Sequence, residues 1–71
     1  MSKLPENIRS MYTDAYKLHE MFSDMGNTEA EWERFGGMMR DVSVHHNNHP
    51  LMMALINAVS DQLERERKNG A

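Results

Sequence analysis

Leu4, Ile8, Met11, Ala15, Leu18, Phe22 and Met25 recur at alternating steps of four and three, which keeps one apolar stripe on a single face along about six turns of helix. Pro5 suits the first turn, where a missing N–H costs nothing, and Gly26 followed by Asn27 supplies a left-handed stop. The spacing predicts a first helix over about 5–25. Thr28-Glu29-Ala30-Glu31 then has the capping-box pattern, in which the Thr hydroxyl and the Glu carboxylate each accept from an otherwise orphaned backbone N–H. Trp32, Phe35, Met39 and Val42 continue as an apolar stripe, His46 lies one step further on the same face, and the second helix is expected over about 29–46. Gly36 and Gly37 interrupt it without ending it. Each costs about 1 kcal/mol against Ala, so the pair is expected to have a reason, such as a bend or a close neighbour, and close packing explains Gly36 but not Gly37.

His45-His46-Asn47-Asn48-His49-Pro50 breaks the helical pattern, because the residue before proline avoids helical angles while proline itself fits a first helical turn. Met52, Leu55, Ile56, Val59 and Leu63 form one face of a third helix, expected over about 50–68, which fades into Glu64-Arg65-Glu66-Arg67-Lys68. Basic residues at that end suit the helix dipole. With no alternating β-branched run and only short connections, the economical fold is all-α: three antiparallel helices in a single domain spanning 1–71.

Leu51-Met52-Met53-Ala54-Leu55-Ile56 is apolar all round the start of the third helix, and two neighbouring helices scarcely cover such a girdle. Leu51, Leu55, Ala58 and Gln62 make a second seam beside the main one, so the reading favours a homo-oligomer, most simply a two-fold dimer. The plainer alternative leaves Met53 and Ala54 as ordinary exposed apolar residues. Self-association also answers a problem of size. A chain of 71 residues and 8.3 kDa supports only one small core, and with no cysteine it has neither disulfides nor thiolate zinc sites to reinforce it. Eight methionines enlarge the apolar inventory: Met39 and Met52 lie on inward stripes, whereas Met38 and Met53 lie off them and suit contact with a partner.

Charge narrows the partners. Eight Lys and Arg against eleven Asp and Glu give a formal charge of −3, which lacks the electrostatic footprint of a nucleic-acid binder. A helix-turn-helix reading fails too, since its recognition helix would begin Pro50-Leu51-Met52-Met53-Ala54. No apolar run has the length of a membrane span, and Met-Ser-Lys-Leu-Pro-Glu is unlike a secretory signal, so a cytoplasmic location is expected.

Candidate chemistry is sparse. His45 and His49 have the i,i+4 spacing that places two imidazoles on one metal ion, with Asp41 as a nearby carboxylate, but Pro50 opposes a continuous helix there. The plainer reading is a polar corner with His46 turned inward and asparagines as caps. His19 falls inside the first stripe, near Tyr12 and Tyr16, and reads as a half-buried histidine bonded to another helix, with a ligand-binding or pH-sensing role as the alternative. Trp32 with Arg34 and Arg40 suggests stacking and guanidinium contacts to a nucleotide, with His19 and Tyr16 as further contacts, yet the two arginines diverge on the wheel and would converge only across subunits. No nucleophile elbow, phosphate loop, metalloprotease motif or triad is present, so neither an enzyme nor a cofactor is expected.

The stretch from Tyr16 to Lys68, with Asn27-Thr28, Trp32, Asn47-Asn48-His49-Pro50-Leu51 and Gln62-Leu63-Glu64-Arg65, resembles a set of small helical proteins of unassigned function encoded by bacteria and their prophages or mobile elements. The resemblance implies an accessory protein that binds or inhibits a host protein, or sequesters its signal; it carries over no site residues. The sequence therefore points to a non-enzymatic helical interaction module. A nucleotide-binding oligomer and a histidine-dependent metal or pH-responsive regulator are its alternatives.

Overall fold

A computed structural model describes residues 3–24, 26 and 28–69, the last two by backbone alone. Three helices make up the fold: α1 (Glu6–Phe22), α2 (Glu29–His45) and α3 (Pro50–Asn69). Consecutive helices run antiparallel, so α1 and α3 run side by side in the same direction. Asn7 and Met11 near the start of α1 border the corner at 45–50, and Arg67 near the end of α3 reaches the carbonyls of Phe22 and Ser23.

The core follows the stripes read from the sequence except at Leu4, which precedes α1 and is 51% exposed. Met11, Ala15, Leu18 and Phe22 of α1, Phe35 of α2, and Met52, Ile56, Val59 and Leu63 of α3 are buried. Ile8, Trp32, Met38, Met39, Val42, Leu51 and Leu55 pack against them half-buried. Phe35 sits at the aromatic centre, edge-on to Phe22 with ring centroids 5.0 Å apart and edge-on to Trp32 at 5.9 Å, a geometry that places ring edges on π faces.

The start of α2 obeys its cap. The Thr28 hydroxyl oxygen accepts from the Glu31 N–H at 3.2 Å. The Glu31 carboxylate in turn accepts from the Thr28 hydroxyl at 2.8 Å and from the Gly26 N–H, so it ties the α1–α2 connection to the first turn.

The end of α1 differs from expectation. The helix stops at Phe22, before the anticipated position near 25, and Gly26 is not in the left-handed region. Met25 and Asn27, assigned to the stripe and the stop, lie outside the described residues. Ser23 supplies the physical reason: its hydroxyl donates to the Glu20 carbonyl at 2.9 Å, while Arg67 takes up the next carbonyls. The left-handed residues are instead Asn47 (φ 56°) and Asn48 (φ 54°), which turn the chain between α2 and α3.

Gly36 also corrects the sequence reading, in which close packing explains it, whereas Gly37 agrees with that reading. A Cβ at either would meet nothing within 4 Å, so close approach of a neighbour accounts for neither residue.

Candidate functional site

The corner between α2 and α3 gathers three histidines. His46 is the C-cap of α2, with φ −100° and ψ 20°, and its side chain is 8% exposed. Its Nε2–H donates to Asp14 Oδ2 on α1 at 2.6 Å, a short charge-assisted contact joining two helices across the edge of the core. His46 is thus turned inward, as the polar-corner reading expects. Neighbouring residues on a helix diverge by about 100°, but the capping geometry brings the exposed His45 back against His46, rings edge-on with centroids 5.0 Å apart. His49 is spent locally. Its Nδ1 accepts from the Leu51 N–H at 3.1 Å and caps α3.

Among the described residues, Asp14, His45 and His46 bring one donor atom each to within 4.8 Å of one another. Of the sequence candidates for a metal, His45 belongs to this group, whereas His49 caps a helix and Asp41 lies one turn before His45. Asp41 still lines the same groove between α1 and α2 as Asp14, Lys17, Met21, Met38 and His45. Asp14 escaped the sequence reading because its partner lies 32 positions away. The available signal was its phase: it follows Met11 by three and precedes Leu18 by four, an acid on the flank of the apolar stripe.

His19 bridges the other pair of helices. Its Nε2 meets Glu66 Oε2 on α3 at 3.0 Å, with both side chains about one-third exposed, 34% and 33%. The His19 hydrogen bond is the main cause, and the Gln62 amide the second, of a Glu66 carboxyl held below the usual carboxylate range. Glu31 is lowered likewise, first by the Thr28 hydroxyl and then by the Gly26 N–H.

Four of the five residues considered for a nucleotide are engaged within the chain. Trp32 packs on Phe35, the Arg34 guanidinium sits 5.6 Å from the centre of the Phe22 ring, Tyr16 bonds Glu20, and His19 bonds Glu66. Arg40 is exposed on α2. None of these five lines the α1–α2 groove or the hollow at the α2–α3 corner.

The residues considered for a partner separate onto three surfaces. Met38 lines the α1–α2 groove. Met53, 38% exposed, lies about 100° round α3 from the buried Met52, whereas Leu51 lies about 100° the other way. Leu51, Leu55, Ala58 and Gln62 form the row that leads to Glu66, so the His19–Glu66 bond places that row along α1. About three turns before this pair on each helix come Ile8 and Leu55, both half-buried against the core. Beside them Tyr12 (48%), Tyr16 (66%) and Leu4 (51%) are exposed, together with Ala54 and Ala58. The α1 and α3 rows thus meet in a face whose centre, from Leu4 to Tyr12 and from Leu51 to Ala58, holds no charged residue, with Arg9, Asp61 and the Glu20 carboxylate that Tyr16 bonds on its rim.

Among the described residues, no helix is long and apolar enough to cross a membrane. Neither a protein-family model, nor a curated protein, nor a solved structure matches the chain.

Proposed function

We propose that this protein is a non-enzymatic helical interaction module whose working unit is a homodimer joined through the α1–α3 face. The observation behind this reading is the uncharged surface itself. In a chain that is 27% charged, Leu4, Ile8, Tyr12, Leu51, Ala54, Leu55 and Ala58 come together with ionic groups only at the margin, where Tyr16 donates to Glu20, and the three largest exposed members of the face are a leucine and two tyrosines. An apolar centre enriched in tyrosine and rimmed by charge has the anatomy of a protein interface.

A second copy is the occupant assigned to this face, because an isologous contact lets its apolar centre cover itself. Each chain carries −3, so two copies repel at long range, and a two-fold axis through this face opposes neutral patch to neutral patch while keeping most acids on the outside. The face holds fewer residues than the roughly 20–30 a side of a standard interface, so a concentration-dependent dimer is expected. Sedimentation equilibrium tests the reading. A mass of twice 8.3 kDa at high micromolar concentration, falling towards 8.3 kDa on dilution, supports it; 8.3 kDa at every concentration overturns it.

A further inference from the structure

We propose that Asp14, His45 and His46 bind a divalent late first-row transition ion, zinc in the first instance, which staples the C-terminal turn of α2 to α1. The proposal stands apart from the dimer: the cluster lies on the α1–α2 side of the molecule, away from the α1–α3 face.

Three features carry it. The donor atoms already lie within 4.8 Å of one another, while ligands about 2.0–2.2 Å from one zinc ion are separated by roughly 3–4 Å, so only small side-chain rotations are required. His45, the exposed member, has room to make the largest of them. The closest pair, His46 Nε2 and Asp14 Oδ2 at 2.6 Å, opens by about 0.5–1 Å as the ion replaces the proton between them; Nε2 gives that proton up to solvent while Nδ1 takes one from it, so the ligand stays a neutral imidazole.

Secondly, the site is held by the fold rather than by one flexible segment. Asp14 comes from the middle of α1, and His46 is fixed by its cap position and burial. The site also lies at the carbonyl end of α2, where the dipole favours a cation. Thirdly, the donor chemistry selects the ion. Two imidazoles and one carboxylate, without thiolate, suit zinc, nickel or copper, whereas magnesium and calcium prefer oxygen donors throughout. Three protein ligands leave a coordination position open, and Asp41, on the same groove as Asp14 and His45, is the nearest further carboxylate on that face of α2.

The test is calorimetric titration of the full chain with zinc chloride in a non-chelating buffer, with cobalt as a spectroscopic probe and magnesium as the control ion. The expected result is one zinc per chain, a higher melting temperature with zinc but not with magnesium, and a cobalt d–d absorption band. Changing the exposed His45→Ala should leave the far-UV circular dichroism of the metal-free chain unchanged while weakening zinc binding at least about tenfold. Asp14→Asn keeps an acceptor for His46 but withdraws the carboxylate, and should weaken binding similarly. The proposal is overturned if wild type binds no zinc at ~100 μM, or if both variants bind it as tightly as wild type.

Discussion

Arg67 donates from Nη2 to the carbonyl of Phe22 at 2.7 Å, so the last turns of α3 cap the C-terminus of α1. A second bond runs from Nη1 to the Ser23 carbonyl at 3.3 Å. These carbonyls have no intrahelical donor, and a cation beside them also meets the negative end of the α1 dipole. The same side chain carries a cost, since its Nε is buried without an acceptor among the described residues. Arg67→Met keeps much of the aliphatic stem and removes the bonds; it should lower unfolding free energy by about 1–2 kcal/mol, read from urea denaturation. Arg67→Lys should lose less, because it retains one charged donor and sheds the orphaned Nε. Equal losses for the two would show that the capping charge is immaterial.

The glycines predict effects of different size. Gly36→Ala and Gly37→Ala each place a methyl in open space within a helix, so each should stabilise by up to about 1 kcal/mol, and the two together more than either. A Cβ at Gly26 instead lies 2.6 Å from Glu31 Oε1. The carboxylate, the far end of a flexible side chain, has to swing away from Thr28 and the Gly26 N–H, so Gly26→Ala should gain less than either helical substitution. Thermal melts of the three variants rank them directly; a destabilised Gly36→Ala would reveal a neighbour absent from the monomer.

Acid sensitivity follows from the two lowered carboxyls. Both Glu31 and Glu66 lie below the ordinary value of 4.5 in the folded chain, so their stabilisation is complete above that value and is lost as pH falls through their folded values. Melting temperature measured from about pH 6 to about pH 3 should drop more steeply below pH 4.5 for wild type than for the Glu31→Gln, Glu66→Gln double variant. The double variant melts lower at pH 6, and the two curves converge in acid. Parallel curves would mean that neither carboxyl is coupled to folding.

What the sequence disclosed and what it withheld divide along a physical line. The stripe from Ile8 to Phe22, the Thr28–Glu31 cap and the inward His46 are local or periodic, and each appears where the spacing puts it. Arg67 on the Phe22 carbonyl, Asp14 on His46 and Glu66 on His19 join positions 45, 32 and 47 residues apart, and no period links such partners. They determine where α1 ends and which histidine meets Asp14. The His45–His46 contact was hidden for another reason. Adjacent side chains diverge in a continuing helix, and only the change of backbone angles at the cap reunites them.

The dimer face yields a two-armed test, because the apolar girdle of α3 splits between its neighbours. Leu51 and Leu55 border α1, whereas Met53 lies on the flank turned towards α2. A Tyr12→Lys, Tyr16→Lys double variant places two cations on each copy at the proposed centre, facing their counterparts across the two-fold axis. Both tyrosines are exposed, so the monomer should keep its helicity and lose no more than about 0.5 kcal/mol per site. Sedimentation should then give 8.3 kDa where wild type gives twice that mass, and Met53→Asp should leave the dimer intact. If Met53→Asp dissociates the dimer and the tyrosine pair does not, the contact lies on the α2–α3 side. The half-buried Ile8 and Leu55 would then mark only the edge of the core.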